Sequence, residues 1–128
     1  MARNGSSGLV VFNTGNVEIW NNTIVDNAPA QLLFHQDERR QTNPANAGHD
    51  RRQPQPDMSV PWIIRNVTVS NNVLSSAANN SCIVCIDDIS KQITADAMNL
   101  SFNGNLYHRT GDAIVVRWSQ GTSDSIYF

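Results

Sequence analysis

Lysine occurs once in this sequence, as Lys91, and cysteine twice, as Cys82 and Cys85. Nine basic residues stand against eleven acidic ones, for a formal charge of -2. No cationic excess exists to hold a nucleic acid or an anionic membrane surface, so neither is expected as a partner. No apolar run approaches the roughly 20 residues that a membrane helix needs, so membrane insertion is not expected. Met1 to Gly8 is polar and small and lacks the apolar stretch of a signal peptide. Helical patterns are scarce. Hairpin signals are scarce too: no Asn-Gly or Asp-Gly pair joins two alternating runs, since Asn4-Gly5 is terminal and Asn103-Gly104 lies inside a longer motif.

What remains is strand-and-turn material. Val, Ile, Thr and aromatic residues gather in short runs bounded by Asn, Gly, Ser and Asp. Asn16-Val17-Glu18-Ile19-Trp20-Asn21-Asn22-Thr23-Ile24 aligns with Asn66-Val67-Thr68-Val69-Ser70-Asn71-Asn72-Val73-Leu74 and with Asn99-Leu100-Ser101-Phe102-Asn103-Gly104-Asn105-Leu106-Tyr107. All three read Asn-apolar-polar-apolar-x-x-Asn-x-apolar. Each is followed by a second apolar run: Gln31 to Phe34, Cys82 to Ile86, and Ala113 to Val116. Leu9 to Phe12 precedes the first unit as the strand of an earlier coil.

The period of two inside each unit predicts strands with one buried face. Val17, Ile19, Val67, Val69, Leu100 and Phe102 are expected inside, with Glu18, Thr68 and Ser101 outside. Asn22, Asn72 and Asn105 are expected at a sharp turn, since Asn tolerates left-handed backbone. Stacked at roughly 4.8 Å, their amides would bond to one another as a ladder. An antiparallel sandwich is the competing fold, but it needs hairpin signals every 8 to 12 residues or so.

The repeated Asn-Val-x-Ile-x-Asn-Asn-x-Ile pattern resembles the coils of right-handed parallel β-helix repeat proteins of the pectin-lyase-like superfamily. The resemblance covers roughly residues 8–36 and 60–118. It implies an all-β solenoid of about three coils in a single domain over 1–128. That superfamily holds polysaccharide lyases, glycoside hydrolases, epimerases, tailspikes and adhesins, so the resemblance implies a polysaccharide ligand without settling the chemistry. No cofactor is implied, and a carbohydrate-active parent would be secreted or at the cell surface.

The repeat is interrupted. The units begin at Asn16, Asn66 and Asn99, so the first interval is 50 residues and the second 33. The excess lies in a polar, Pro-rich stretch over 37–61, expected to project as a loop that is either solvated or walls a groove. The chain ends carry no obvious polar cap, so the sequence suggests a piece of a longer solenoid that self-associates through uncapped ends.

Catalytic candidates are His35, Asp37, Arg39 and Arg40, which leave the first coil together, and His49 and Asp50 in the loop. Attack on a uronate polymer needs a cation for the sugar carboxylate, which Arg supplies in bidentate fashion, and a base for the carbon-bound proton. Surface ion pairing explains the same residues. Asp87 and Asp88 are candidate calcium ligands, but neighbours on a strand point to opposite faces. The Gly-His-Gly and Arg-Ile-Lys motifs of polygalacturonases are missing. Trp20, Trp62 and Trp118, with Tyr107, could stack on sugar rings or lie under neighbouring loops. Asn-x-Ser/Thr sequons at Asn4, Asn21, Asn66, Asn79 and Asn99 follow from the repeat itself. Cys82 and Cys85, three apart in a strand, would be roughly 10 Å apart, too far for a disulfide, and no second pair completes a zinc site.

The readings that follow are a carbohydrate-active β-helix region not catalytic on its own, a non-catalytic binding or structural module, and a small self-associating protein.

Overall fold

The structure is a computed structural model that describes residues 1–37, 62–76, 82–89, 93–119 and 125–127. The 37–61 stretch therefore lies outside the described residues from 38 onward, and so do Arg39, Arg40, His49, Asp50 and Lys91.

The described chain is all-β. Its strands are β1 (Leu9–Phe12), β2 (Gly15–Trp20), β3 (Thr23–Asn27), β4 (Ala30–Gln36), β5 (Arg65–Ser70), β6 (Val73–Ser76), β7 (Cys82–Asp88), β8 (Leu100–Asn103), β9 (Leu106–His108), β10 (Ile114–Ser119) and β11 (Ser125–Tyr127). One 3-10 turn, Asp96–Met98, interrupts them. The strands form three sheets, ordered β1-β4-β7-β10-β11, β2-β5-β8 and β3-β6-β9. Up to β10 each strand lies parallel beside the strand three places further along the chain. The chain visits the three sheets in turn and returns, an arrangement compatible with a β-helix-like solenoid.

The alternating apolar residues set the register. Val17 faces Val67, which faces Leu100, and Ile19 faces Val69, which faces Phe102. All six pack in or against one core, as the period of two predicts. A one-residue slip would put every one of them in water. Phe34, fully buried, meets Phe102 edge-on at 5.9 Å between ring centroids, and Phe102 meets Trp118 at 6.5 Å.

The turn residues differ from the sequence expectation by one position. The left-handed residues are Asn21, Asn71 and Gly104, and a second set, Asn16, Asn66 and Asn99, opens each unit. Asn22, Asn72 and Asn105 stay outside that region and reach across to neighbouring repeats instead. The physical reason is economy of atoms: the first Asn or Gly reverses the chain, which frees the next side chain to point inward and bond backbone.

One further expectation is corrected. The strand that carries the cysteines bends, so the Cα atoms of Cys82 and Cys85 are 5.5 Å apart and the two are joined in a disulfide. The estimate of roughly 10 Å assumed a straight strand. Ala30 and Leu33 of β4 lie in register with Cys82 and Cys85 and form a small separate cluster with them. Further backbone pairs lie at the ends of the sheets. β1 lies parallel beside β4, and β11 lies antiparallel beside β10. The Met1 amino group donates to the Thr23 carbonyl at 2.8 Å, and Val25 N–H donates to the Met1 carbonyl at 3.0 Å. The outer edges of β2, β8 and β9 have no strand beside them among the described residues.

Candidate functional site

Two outward faces carry the candidates. On the five-stranded sheet, period two sends His35 outward from β4 while Phe34 and Gln36 point in. The Phe12 ring lies 4.7 Å from the His35 ring. His35 is in register with Asp87 of β7. Asp87 in turn takes a bidentate pair from Arg117: Nε donates at 3.0 Å, and a second guanidinium nitrogen donates to the other carboxylate oxygen. Arg117 is thus neutralised. It would have to leave Asp87 before it could clamp a sugar carboxylate, and both side chains are partly desolvated.

Asp37 does not join this row as a free acid. Its backbone N–H donates to Asn13 Oδ1 at 2.9 Å, and Asn13 Nδ2 donates back to its carboxylate. Asp88 is buried and accepts the Ile93 N–H. It and Asp87 point to opposite faces, and among the described residues no three His, Cys, Asp or Glu side chains converge on a metal position.

The second face is the outside of β2-β5-β8. Three rows cross its strands, roughly 4.8 Å from one member to the next. The first is an amide ladder: Asn66 Nδ2 donates to Asn16 Oδ1 at 3.1 Å, and Asn99 Nδ2 to Asn66 Oδ1 at 2.8 Å. The second places Glu18, Thr68 and Ser101 in register, and the third Trp20, Ser70 and Asn103. Trp20 is 61% exposed, against the usual burial of so large a ring. No family model, curated protein or solved structure matches this chain.

The three tryptophans are not brought together on one outward face. Trp20 stands on the outer face of β2. Trp118 packs half-buried against the core beside Phe102. Trp62 is half-buried, with left-handed backbone and an indole Nε1 that has no hydrogen-bond partner among the described residues. Tyr107 is packed against the core as well, and desolvation pushes its phenol above the ordinary 10.0 despite a hydrogen bond with the Asn105 side chain that lowers it.

Three residues that matter here were not singled out from the sequence. Gln36 accepts the Ile64 N–H at 2.8 Å and donates to the carbonyls of Trp62 at 2.9 Å and Asp37 at 3.1 Å. It therefore ties together the two ends between which the long insertion departs and returns. A polar residue at an inward position of β4 was the available signal. Arg65, exposed at the start of β5, lies over Gly15, where a Cβ would sit 3.0 Å from its Cγ and 2.6 Å from its carbonyl oxygen. Gly15 is thus small because Arg65 passes close. The third is Ser75, whose hydroxyl meets His108 Nδ1 at 3.0 Å on the β3-β6-β9 sheet.

Proposed function

We propose that this chain is a right-handed parallel β-helix of the pectin-lyase-like type that binds a polysaccharide on the outer face of β2-β5-β8 without transforming it. The handedness rests on the rule that parallel crossovers are right-handed in about 98% of cases. The binding role rests on one observation: Trp20 stands in water at the border of a flat field of amides and hydroxyls. A sugar ring presents C–H faces that stack on an indole and hydroxyls that both donate and accept, which Asn, Ser and Thr match.

The absence of catalysis in this reading is supported, among the described residues, by the outer face of the five-stranded sheet. The cation there, Arg117, is occupied by Asp87. The Asp37 carboxylate accepts the side-chain amide of Asn13, and that of Asp88 accepts the Ile93 N–H.

The test is titration of the full chain with soluble polysaccharides, read by tryptophan fluorescence and calorimetry, with product analysis alongside. Saturable binding that weakens in Trp20→Ala, with no new reducing ends and no unsaturated products, is expected. Release of either product would show an enzyme, and an absence of binding to every polymer would remove the proposed role.

A further inference from the structure

We infer that the polymer held on the β2-β5-β8 face is uncharged, a neutral polysaccharide rather than a polyuronate. This rests on the binding role proposed above and narrows its ligand.

Glu18 stands in the middle of the outer face of β2, between Asn16 and Trp20, with Thr68 beside it in register. A polymer that stacks on Trp20 and runs along the strand passes over this carboxylate. A uronate there would set like charges against each other, and exposed like charges at contact distance repel. One cation, Arg65, flanks the field where its stem crosses Gly15. Among the described residues of these rows and their flank, Glu18 and Arg65 stand as one charge of each sign. A repeating polyanion would gain at one and lose at the other, whereas polymers recognised by charge need a row of cations.

The uncharged groups, by contrast, are already oriented. Asn99 donates to Asn66, and Asn66 to Asn16, so each amide is held one way round. Asn103 Nδ2 donates to Ser101 Oγ at 2.8 Å and fixes that pair too. Asn66, Asn99 and Asn103 each spend one N–H on these bonds and keep another for a ligand. Groups held before binding lose little freedom on binding, which favours hydroxyl recognition by hydrogen bonds.

The closing experiment titrates the full chain with a soluble neutral glucan and with polygalacturonate, each at low and high salt. The glucan is expected to bind with an affinity that salt does not change. Trp20→Ala is expected to weaken it about tenfold or more. Trp20 is exposed, so the variant keeps its fold, and circular dichroism checks this. Tighter binding of polygalacturonate, weakened by salt and by Arg65→Gln, would overturn the neutral ligand and leave the binding role standing. Glucan binding that ignores Trp20→Ala would place the ligand on another face and overturn the inference. Binding of neither polymer would remove the role and the inference together.

Discussion

The side-chain oxygen of Asn105 accepts the backbone N–H of Asn72 at 2.9 Å, 33 residues back along the chain. The same bond joins Asn72 to Asn22, also at 2.9 Å, across 50 residues. The geometry repeats although the connecting chain does not, so the ladder is a property of the stacked strands and not of the loops between them. Asn72 is 1% exposed, and its Nδ2 also lies 2.9 Å from each of the carbonyls of Ile19 and Ser70.

Asn72→Leu is therefore expected to destabilise the fold by about 1–3 kcal/mol, because the Asn22 N–H loses its acceptor and the Ile19 and Ser70 carbonyls each lose a donor. Asn71→Gly is the contrast. Asn71 has a φ of 56 degrees and is exposed, so glycine there is expected to cost under about 1 kcal/mol. Urea midpoints of both variants check this, and equal midpoints would refute the ladder.

Gln36→Leu is expected to cost about 1–3 kcal/mol. The buried N–H of Ile64 loses its acceptor, and the Trp62 and Asp37 carbonyls lose a shared donor. Thermal unfolding gives the size of the loss. Hydrogen exchange at Ile64 gives its place, with protection expected to fall there before it falls at Val67.

The sequence carried the strands and their register, because both depend on local alternation that the Val17, Val67 and Leu100 columns repeat. It did not carry the bend at Cys82, since a straight strand and a bent one have the same alternation. Nor did it carry the tie at Gln36 or the cover that Met1 and Ala2 give to β3, since each pairs a side chain or terminus with backbone more than twenty residues away. For the candidate site, Trp20 was legible as an outward aromatic, and Glu18, Thr68 and Ser101 as outward polar residues. That Arg117 neutralises Asp87 was not legible, because its register against β7 follows from the stacking and not from any motif.

The Asp87–Arg117 pair is expected to contribute at most about 1 kcal/mol, since both side chains keep part of their exposure. A double-mutant cycle with Asp87→Asn and Arg117→Gln measures it, and the coupling should shrink as salt is added. A coupling that salt leaves unchanged would mean the pair is more deeply desolvated than its exposure implies.

Alkaline stability should be sensitive to Tyr107. Burial raises its folded-state pKa above 10.0, so the folded chain prefers the neutral phenol. The contribution is present in full below pH about 10 and is lost as pH rises through the folded-state ionisation. In a Tyr127→Phe background, which leaves Tyr107 as the only tyrosine, the phenolate absorbance should appear above the usual pH. Tyr107→Phe should flatten the fall in melting temperature over the same range.

The five-strand sheet outruns its two companions at one end, where β10 and β11 lie beyond the level of β8 and β9. Polymerisation needs each new interface to be the image of the last. If a second copy set its β2 beside β8, continuing that sheet, its β1 would fall at the height already filled by β10, and its β4 at the height of β11. The flush stack is occluded twice over. Growth by simple translation is thereby closed, and any pairing at the bare edges of β8 and β9 is expected to end in a small, finite assembly, with scattering mass that levels off as concentration rises.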